Sequence, residues 1–242
     1  MNPRQDAFGR ALMDHLNGRA GDTVIERDDG FVDVDGGPAV YFEPPHNWAP
    51  MERRAIRHVR GSVLDVGCGA GRVALHLQEG GHDVTGIDVS PLAVKVCKLR
   101  GLDDARTQSI TSISSKTGVF DTIVMMGNNF GLMGDATRAR WLLRRMRRMT
   151  GPRGRIVATS TDVYGTSDPS HRAYQRANVE RGRMAGQLRL RVRYRDLATP
   201  WFDYLIVSRA EMKRLLRGTG WIASRWITSA HSPRYGVVID KL

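Results

Sequence analysis

Three glycines alternate through the stretch VLDVGCGAGR, at Gly67, Gly69 and Gly71, directly behind the apolar run that begins at Val63. Glycine loses more backbone freedom on folding than any other residue, so such a cluster implies positive φ or a ligand lying against bare main chain. Gly67 is read as the tight turn. Gly69 and Gly71 leave room for a ligand beside a helix N-terminus, which favours anionic groups. Asp88 ends a second apolar run, DVTGID. It stands about 20 residues beyond the turn, where an acid accepts hydrogen bonds from ribose hydroxyls. The spacing narrows the ligand further. A dinucleotide fingerprint, GxGxxG, would need glycine where this chain has Arg72, so a pyrophosphate cofactor is disfavoured. No Gly-Lys-Ser/Thr follows, which excludes a P-loop.

Other residues able to do chemistry lie further along. Asn128 and Asn129 follow the apolar run FDTIVMMG and offer neutral amides that both donate and accept hydrogen bonds. The alternative reading is that they only satisfy backbone groups of a turn. His171 and Tyr174 stand one helical turn apart on a polar stretch, where they fit a base and an acceptor clamp, or an ordinary surface helix. The two cysteines, Cys68 and Cys97, sit in no CxxC and no His-rich cluster, so neither a zinc site nor a disulfide framework is expected. Cys68 reads as a small buried filler of the turn, no metal is expected, and a reducing cytoplasm is the expected compartment.

The elements that must position these groups follow a regular beat. SVLDVG, DVTGID, ARTQSI, FDTIVMMG and RIVATSTD read as strands. Between them, RVALHLQEGG, SPLAVKVCKLRG and DATRARWLLRRMRRMTGPRG read as helices, the last ended by Gly151-Pro152. Ser90 and Pro91 suit an N-cap and first helical position, and Ser208 with Glu211 forms a capping box. Alternation of this kind predicts an α/β fold, a doubly wound parallel sheet with helices on both faces. GWIASRWITS and RYGVVIDKL close the chain as two more strands. The beat breaks at 163–207, read as an inserted helix and β-hairpin serving as a substrate lid. Residues 1–60 are read as a cap segment, with an amphipathic helix through Phe8, Leu12 and Leu16 and a helix over PMERRAIRHVRG. Residues 61–242 are the core. No apolar run approaches bilayer length, and the first residues lack the pattern of a signal peptide.

VLDVGCGAGR, VTGIDVSP and FDTIVMMGNNFG, in this order and spacing, resemble the first, second-strand and fourth-strand motifs of the class I S-adenosylmethionine-dependent methyltransferases. The resemblance covers about residues 61–162. It implies a Rossmann-like sheet of seven strands, mostly parallel, with RYGVVIDKL as the antiparallel last strand. It implies S-adenosylmethionine as cofactor. Gly67, Cys68, Gly69, Gly71 and Arg72 would hold its aminocarboxypropyl end, with Asp65 acting indirectly through the turn or a water. Asp88 and Val89 would hold the ribose. Ser109 and Ile110 would lie near the adenine, where the acid common in that family is missing and RTQSITS stands instead. Met126, Gly127 and Asn128 would lie beside the transferring methyl. GNNFG lacks the paired prolines of the adenine-N6 enzymes, so that activity is not carried over. Methyl transfer from a sulfonium is an in-line displacement that chiefly needs alignment and exclusion of water, so no triad is required.

Charge is segregated along the chain. Residues 138–242 hold 23 Lys/Arg against 7 Asp/Glu, while the rest is slightly acidic. QLRLRVRYR sends Arg189, Arg191, Arg193 and Arg195 to one side and Leu188, Leu190, Val192 and Tyr194 to the other. That face is either solvated and paired with acids such as those of ERDDGFVDVD, or a docking surface for a polyanion. Three functions follow: a methyltransferase acting on a small molecule, which is favoured; one acting on RNA through the arginines; and a cofactor-binding protein without catalysis. A monomer or homodimer is expected, with no membrane partner.

Overall fold

The computed structural model describes residues 2–19, 21–34, 36–230 and 232–242. Seven strands form the main sheet: β3 (Val63–Val66), β4 (Val84–Asp88), β5 (Asp104–Thr107), β6 (Phe120–Met125), β7 (Thr150–Thr161), β11 (Trp221–Thr228) and β12 (Arg234–Lys241). Their order is β11-β12-β7-β6-β3-β4-β5. β4 with β5 and β6 with β7 run parallel, and β12 runs antiparallel to both of its neighbours. This is the Rossmann-like arrangement expected of the sequence. A second sheet, antiparallel, takes β1 (Val24–Arg27), β2 (Val32–Val34), β8 (Gln187–Tyr194), β9 (Leu197–Ala198) and β10 (Phe202–Leu205) in the order β10-β8-β1-β2, with β9 also on β8.

The chain forms two compact units. One comprises Met1–Trp48, Leu64–Ser112 and Arg189–Phe202; the other comprises Ala49–Val63, Ile113–Leu188 and Asp203–Leu242. In the first, helices α1 (Ala7–Leu16), α3 (Arg72–Glu79) and α4 (Pro91–Leu99) join β3, β4 and β5. Leu12, Ala93 and Val96 are buried together, with Phe8, Leu16, Tyr41 and Phe42 packed against them. The amphipathic helix expected at the N-terminus is α1. A relay of caps fixes it. Asp6 accepts from the N–H of Gly9, which caps α1, at 3.0 Å, and from the Ser90 hydroxyl at 2.7 Å. Ser90 in turn accepts from the Ala93 N–H and so caps α4. Asp6 also takes the Leu92 N–H at 3.1 Å. One buried carboxylate thus satisfies orphan donors on two helices.

In the second unit lie α2 (Pro50–Ile56), α5 (Ala136–Arg148), α6 (Pro169–Glu180) and α7 (Arg209–Leu216). Leu142, Leu143 and Met146 of α5 are fully buried. The α7 capping box is formed, with Glu211 accepting from the Ser208 N–H at 2.8 Å and Ser208 accepting from the Glu211 N–H at 3.3 Å. Two expected helix ends move. α2 stops at Ile56 rather than near Gly61. α5 ends before Met149, and Gly151-Pro152 already belong to β7, because Thr150 pairs with Phe120 of β6. Sheet pairing overrides the local stop signal there.

The cap relay has a measurable consequence. Replacing Asp6 with Ala strips three donors of their acceptor, and urea unfolding is expected to show a loss of about 2–3 kcal/mol. A loss within error of zero would contradict the relay.

Candidate active site

The glycine turn belongs to the first unit. Gly67, Gly69 and Gly71 have φ of 74°, 57° and 83°, so all three, and not Gly67 alone, occupy the left-handed region. The turn is tied to β4 at both ends of its curve. The N–H groups of Gly67 and Cys68 donate to the Ile87 carbonyl at 2.8 and 3.0 Å. The N–H of Gly69 donates to Asp88 Oδ2 at 3.0 Å. Gly71, with no side chain to cap it, opens α3. Phe8 and Tyr41, edge to face with centroids 5.0 Å apart, stand 3.8 Å from where a Gly69 Cβ would be. Arg72, the first residue of α3, lies over the Trp48 ring at 4.8 Å, and Trp48 is buried.

Two carboxyls lie beneath and beside this turn. Asp65, on β3, is 3% exposed, and its Oδ2 has no hydrogen-bond partner. Burial, then the charge of Asp88, push its carboxyl up to about 7, against the pull of Arg72 and the Ala74 N–H. Asp88 is also held above the ordinary carboxylate range by burial, offset by the N–H groups of Ser90 and Gly69. Its two oxygens accept one backbone bond each, from Gly69 and from Ser90 at 2.9 Å, so each keeps lone-pair capacity. Asp88 therefore clamps the turn, a role the spacing argument did not supply. Val89 beside it is 47% exposed, an apolar side chain left open at a strand's carboxyl end. Cys68 and Cys97 are buried thiols 3.7 Å apart, and the Cys97 thiol donates to the Gly69 carbonyl. The bond to Cys97, with burial, holds the Cys68 thiol well above its ordinary range, so it packs rather than reacts.

After β5, Ser109 and Ile110 are half-buried in a tight turn. The Ser109 hydroxyl pairs with that of Thr111 at 2.8 Å and accepts the Thr111 N–H. The N–H of Gln108 donates to the Asp88 carbonyl at 2.8 Å, which ties this turn to the end of β4.

The remaining site residues belong to the second unit. Met126 is buried and Gly127 is exposed at the carboxyl end of β6. The Gly127 N–H donates to Glu52 Oε1 at 3.3 Å, a contact without any local sequence signal. Asn128 adopts φ 70°, ψ 14°, left-handed for a non-glycine residue. Its N–H donates to Thr159 Oγ1 at 2.7 Å, its Oδ1 accepts from the Thr161 hydroxyl at 3.2 Å, and its carbonyl accepts from Tyr204 at 2.6 Å. Asn129 opens the short helix that follows. His171 and Tyr174 lie half-buried on α6, one turn apart as their spacing requires.

The arginine strand is partly paired with carboxylates. Arg191 forms a two-pronged pair with Glu26 of β1 at 2.8 and 2.9 Å and covers Trp201, and Arg193 reaches the same carboxylate at 3.5 Å. Arg195 departs from the expected alternation. It lies past the end of β8 with φ 53° and meets Asp14 at 3.4 Å, on the side to which Tyr194 also turns. Burial opposes the ionised form of Asp14, but hydrogen bonds from Arg19 and Tyr194 and the charge of both arginines keep its carboxyl below the ordinary range.

A family model described as a methyltransferase domain matches residues 63–154. The ubiquinone biosynthesis O-methyltransferase of Bordetella avium is 38% identical over 71 residues, 27% of this chain and 30% of that protein. The 2-heptyl-1-hydroxyquinolin-4(1H)-one methyltransferase of Mycobacteroides abscessus is 41% identical over 73 residues, 27% of this chain and 32% of that one. The chain thus spans about three tenths of the length of the curated relatives it matches. A SAM-dependent methyltransferase from Bacteroides fragilis, solved with S-adenosyl-L-homocysteine, superposes with a TM-score of 0.85 at 27% identity, over 100% of this chain and 97% of that one. In its sheet order, its glycine turn and residues 63–154 the chain is similar to class I S-adenosylmethionine-dependent methyltransferases. Among the described residues no group of His, Cys, Asp and Glu is placed to hold a metal, and no helix is long and apolar enough to cross a membrane.

Asp65 ties stability to pH. Its folded carboxyl, near 7, holds a proton that the unfolded chain, near 3.8, has already lost. Stability from this group is full below about pH 4 and falls as pH rises to about 7. Asp65→Asn removes the group, so relative to wild type it is expected to gain about 4 kcal/mol between pH 4 and pH 8, followed by urea titrations. A difference that stays constant with pH would contradict a raised Asp65.

Proposed function

We propose that the chain transfers a methyl group from S-adenosylmethionine to a small-molecule acceptor. One observation carries the cofactor half of this reading: the buried, unpartnered Oδ2 of Asp65 beneath a turn that presents only main chain. A buried polar atom without a partner is costly, and a bound cation or a water held by one would relieve it. The ammonium of the cofactor's amino-acid end has that chemistry. Gly67, Gly69 and Gly71 would carry this end, Asp88 and Val89 the ribose, and the Ser109–Ile110 turn the adenine. Bound there, the cofactor supplies an electrophilic methyl on a sulfonium. Met126, Gly127 and Asn128 are the residues proposed beside the methyl, on the carboxyl end of β6, where α/β sheets take their ligands.

Residues 1–60 are proposed as a cap, supported by Phe8 and Tyr41 at 3.8 Å from the Gly69 position. The inserted 163–207 stretch would supply acceptor-side groups, His171 and Tyr174 among them. The small-molecule acceptor is favoured because the matched relatives are named for ubiquinone biosynthesis and for a hydroxyquinolone. The pairing of Arg191 and Arg193 with Glu26 weighs against a polyanion docked along β8. A reducing cytoplasm remains the proposed compartment, in keeping with two free thiols.

Calorimetry with S-adenosylhomocysteine tests the site. Asp88→Ala removes both the proposed ribose contact and the clamp on Gly69, and affinity is expected to fall by about 1–3 kcal/mol. Unchanged affinity in a folded variant would show that the ligand does not use this carboxylate.

A further inference from the structure

Helix α5, ATRARWLLRRMRR, holds six arginines and no carboxylate in its 13 residues. Two stripes run along it with the same spacing. Ala139, Leu142, Leu143 and Met146, at i, i+3, i+4 and i+7, are fully buried. Trp141, Arg144, Arg145 and Arg148 repeat that spacing on the opposite side. Trp141 is 42% exposed, and Arg144 and Arg148 are exposed. The Arg145 guanidinium lies over the Trp141 ring at 4.8 Å.

Folding accounts for the other arginines of this helix and not for these. Arg138 pairs with Asp203 at 3.7 Å. Arg140 donates to the Arg214 and Arg217 carbonyls at 2.9 and 3.2 Å, and Arg147 to the Leu242 carbonyl at 3.4 Å. A cation in the last turn usually answers the carbonyl end of a helix. Here Lys241 takes that place, with Nζ donating to the Arg147 carbonyl at 2.9 Å and to those of Thr150 and Gly151 at 2.6 and 3.1 Å. Among the described residues Arg144, Arg145 and Arg148 meet no carboxylate. Arg140 with Arg144, Arg144 with Arg148, and Arg145 with Arg148 stand three or four apart, and like charges at that spacing destabilise a helix. A stripe shaped by stability alone would interleave glutamates.

We propose that the Trp141–Arg144–Arg145–Arg148 stripe is a docking surface for a single-stranded stretch of nucleic acid. The arginines would meet phosphates, and the face of Trp141 turned away from Arg145 would stack on an unpaired base. The charge and shape of the stripe select this occupant. A second copy of the chain would set arginine against arginine. An anionic membrane takes up an apolar helix face, and that of α5 is buried in the core. Protein partners deplete charge at the centre of an interface, whereas nucleic-acid interfaces are much more positive. The nucleic acid is a partner here and not the methyl acceptor, so the proposal stands apart from the methyl-transfer reading.

The test titrates the full chain into labelled oligothymidylate, and into an abasic oligomer of the same length, with fluorescence anisotropy as the readout. Three phosphate contacts on a single strand give a log–log salt slope of about −2, so affinity is expected to fall about twentyfold between about 50 and 200 mM salt. Trp141→Ala is expected to weaken oligothymidylate binding about tenfold and to leave the abasic oligomer unchanged. Arg144→Gln combined with Arg148→Gln is expected to weaken both oligomers and to flatten the slope by about 1.4. The same two positions changed to Lys keep the charge and are expected to bind as wild type does. Thermal unfolding of each variant, expected at or above the wild-type midpoint for the Gln pair, separates lost docking from lost folding. Unchanged affinity in the Gln pair, equal losses on both oligomers in Trp141→Ala, or tighter binding of oligoglutamate or of phosphatidylglycerol vesicles than of oligothymidylate would overturn the proposal.

Discussion

A carboxyl oxygen with no partner lies under the Gly67–Gly71 turn, and the surrounding structure is arranged around that defect. Asp65 sits at a fully buried position of β3, and only the Ala74 N–H and the charge of Arg72 compensate it. A protein stabilised for its own sake would put an apolar residue there or add a donor. The turn above it adopts left-handed φ at three alternating residues, which keeps side chains away from the same place. Asp88, a second carboxyl raised by burial, is spent on Gly69 and Ser90 to hold that shape. An unpartnered carboxyl oxygen and bare backbone are thus concentrated at one point, where a ligand with a cationic end would restore what folding leaves unsatisfied.

Each unit holds its own candidate residues with polar devices rather than with loops alone. In the first, Asp6 and Ser90 lock the N-termini of α1 and α4 to one another, and Phe8, carried by α1, is brought to Gly69. In the second, hydroxyls from β7 and from Tyr204 fix the loop that begins at Asn128. Main-chain and side-chain groups are held by elements of the sheets and helices, which places them more reproducibly than a free loop does.

The architecture was legible because strand and helix periods alternate cleanly and each turn carries its own chemistry. SVLDVG, DVTGID and FDTIVMMG became strands where expected, and the caps at Ser90 and Ser208 formed as their spacing implied. The glycine turn was legible for the same reason, since glycine spacing is a backbone property. What escaped depends on partners distant in the chain. Glu26 neutralises Arg191 from 165 residues away, and no local pattern selects it from the other acids of its segment. Thr159 and Thr161 alternate visibly in ATSTD, but their shared target lies on another strand's end. The end of α5 was misplaced because Thr150 gains a sheet partner, an interaction that the Gly151-Pro152 signal does not contain. Arg195 broke the alternation through its own positive φ, which an arginine reveals only in three dimensions.

The proton on Asp65 gives the most direct measurement of the whole account. S-adenosylhomocysteine should be titrated into the protein near pH 7 in two buffers of different ionisation enthalpy, with Asp65→Asn alongside. A cation settling beside a carboxyl that titrates near 7 drives its proton off, so binding is expected to release protons and to tighten as pH rises from about 6 to 8. Asp65→Asn is expected to lose both effects. Binding with the same proton count in wild type and variant, or no binding by the folded protein, would contradict the claim that this unpaired carboxyl is the cofactor's anchor.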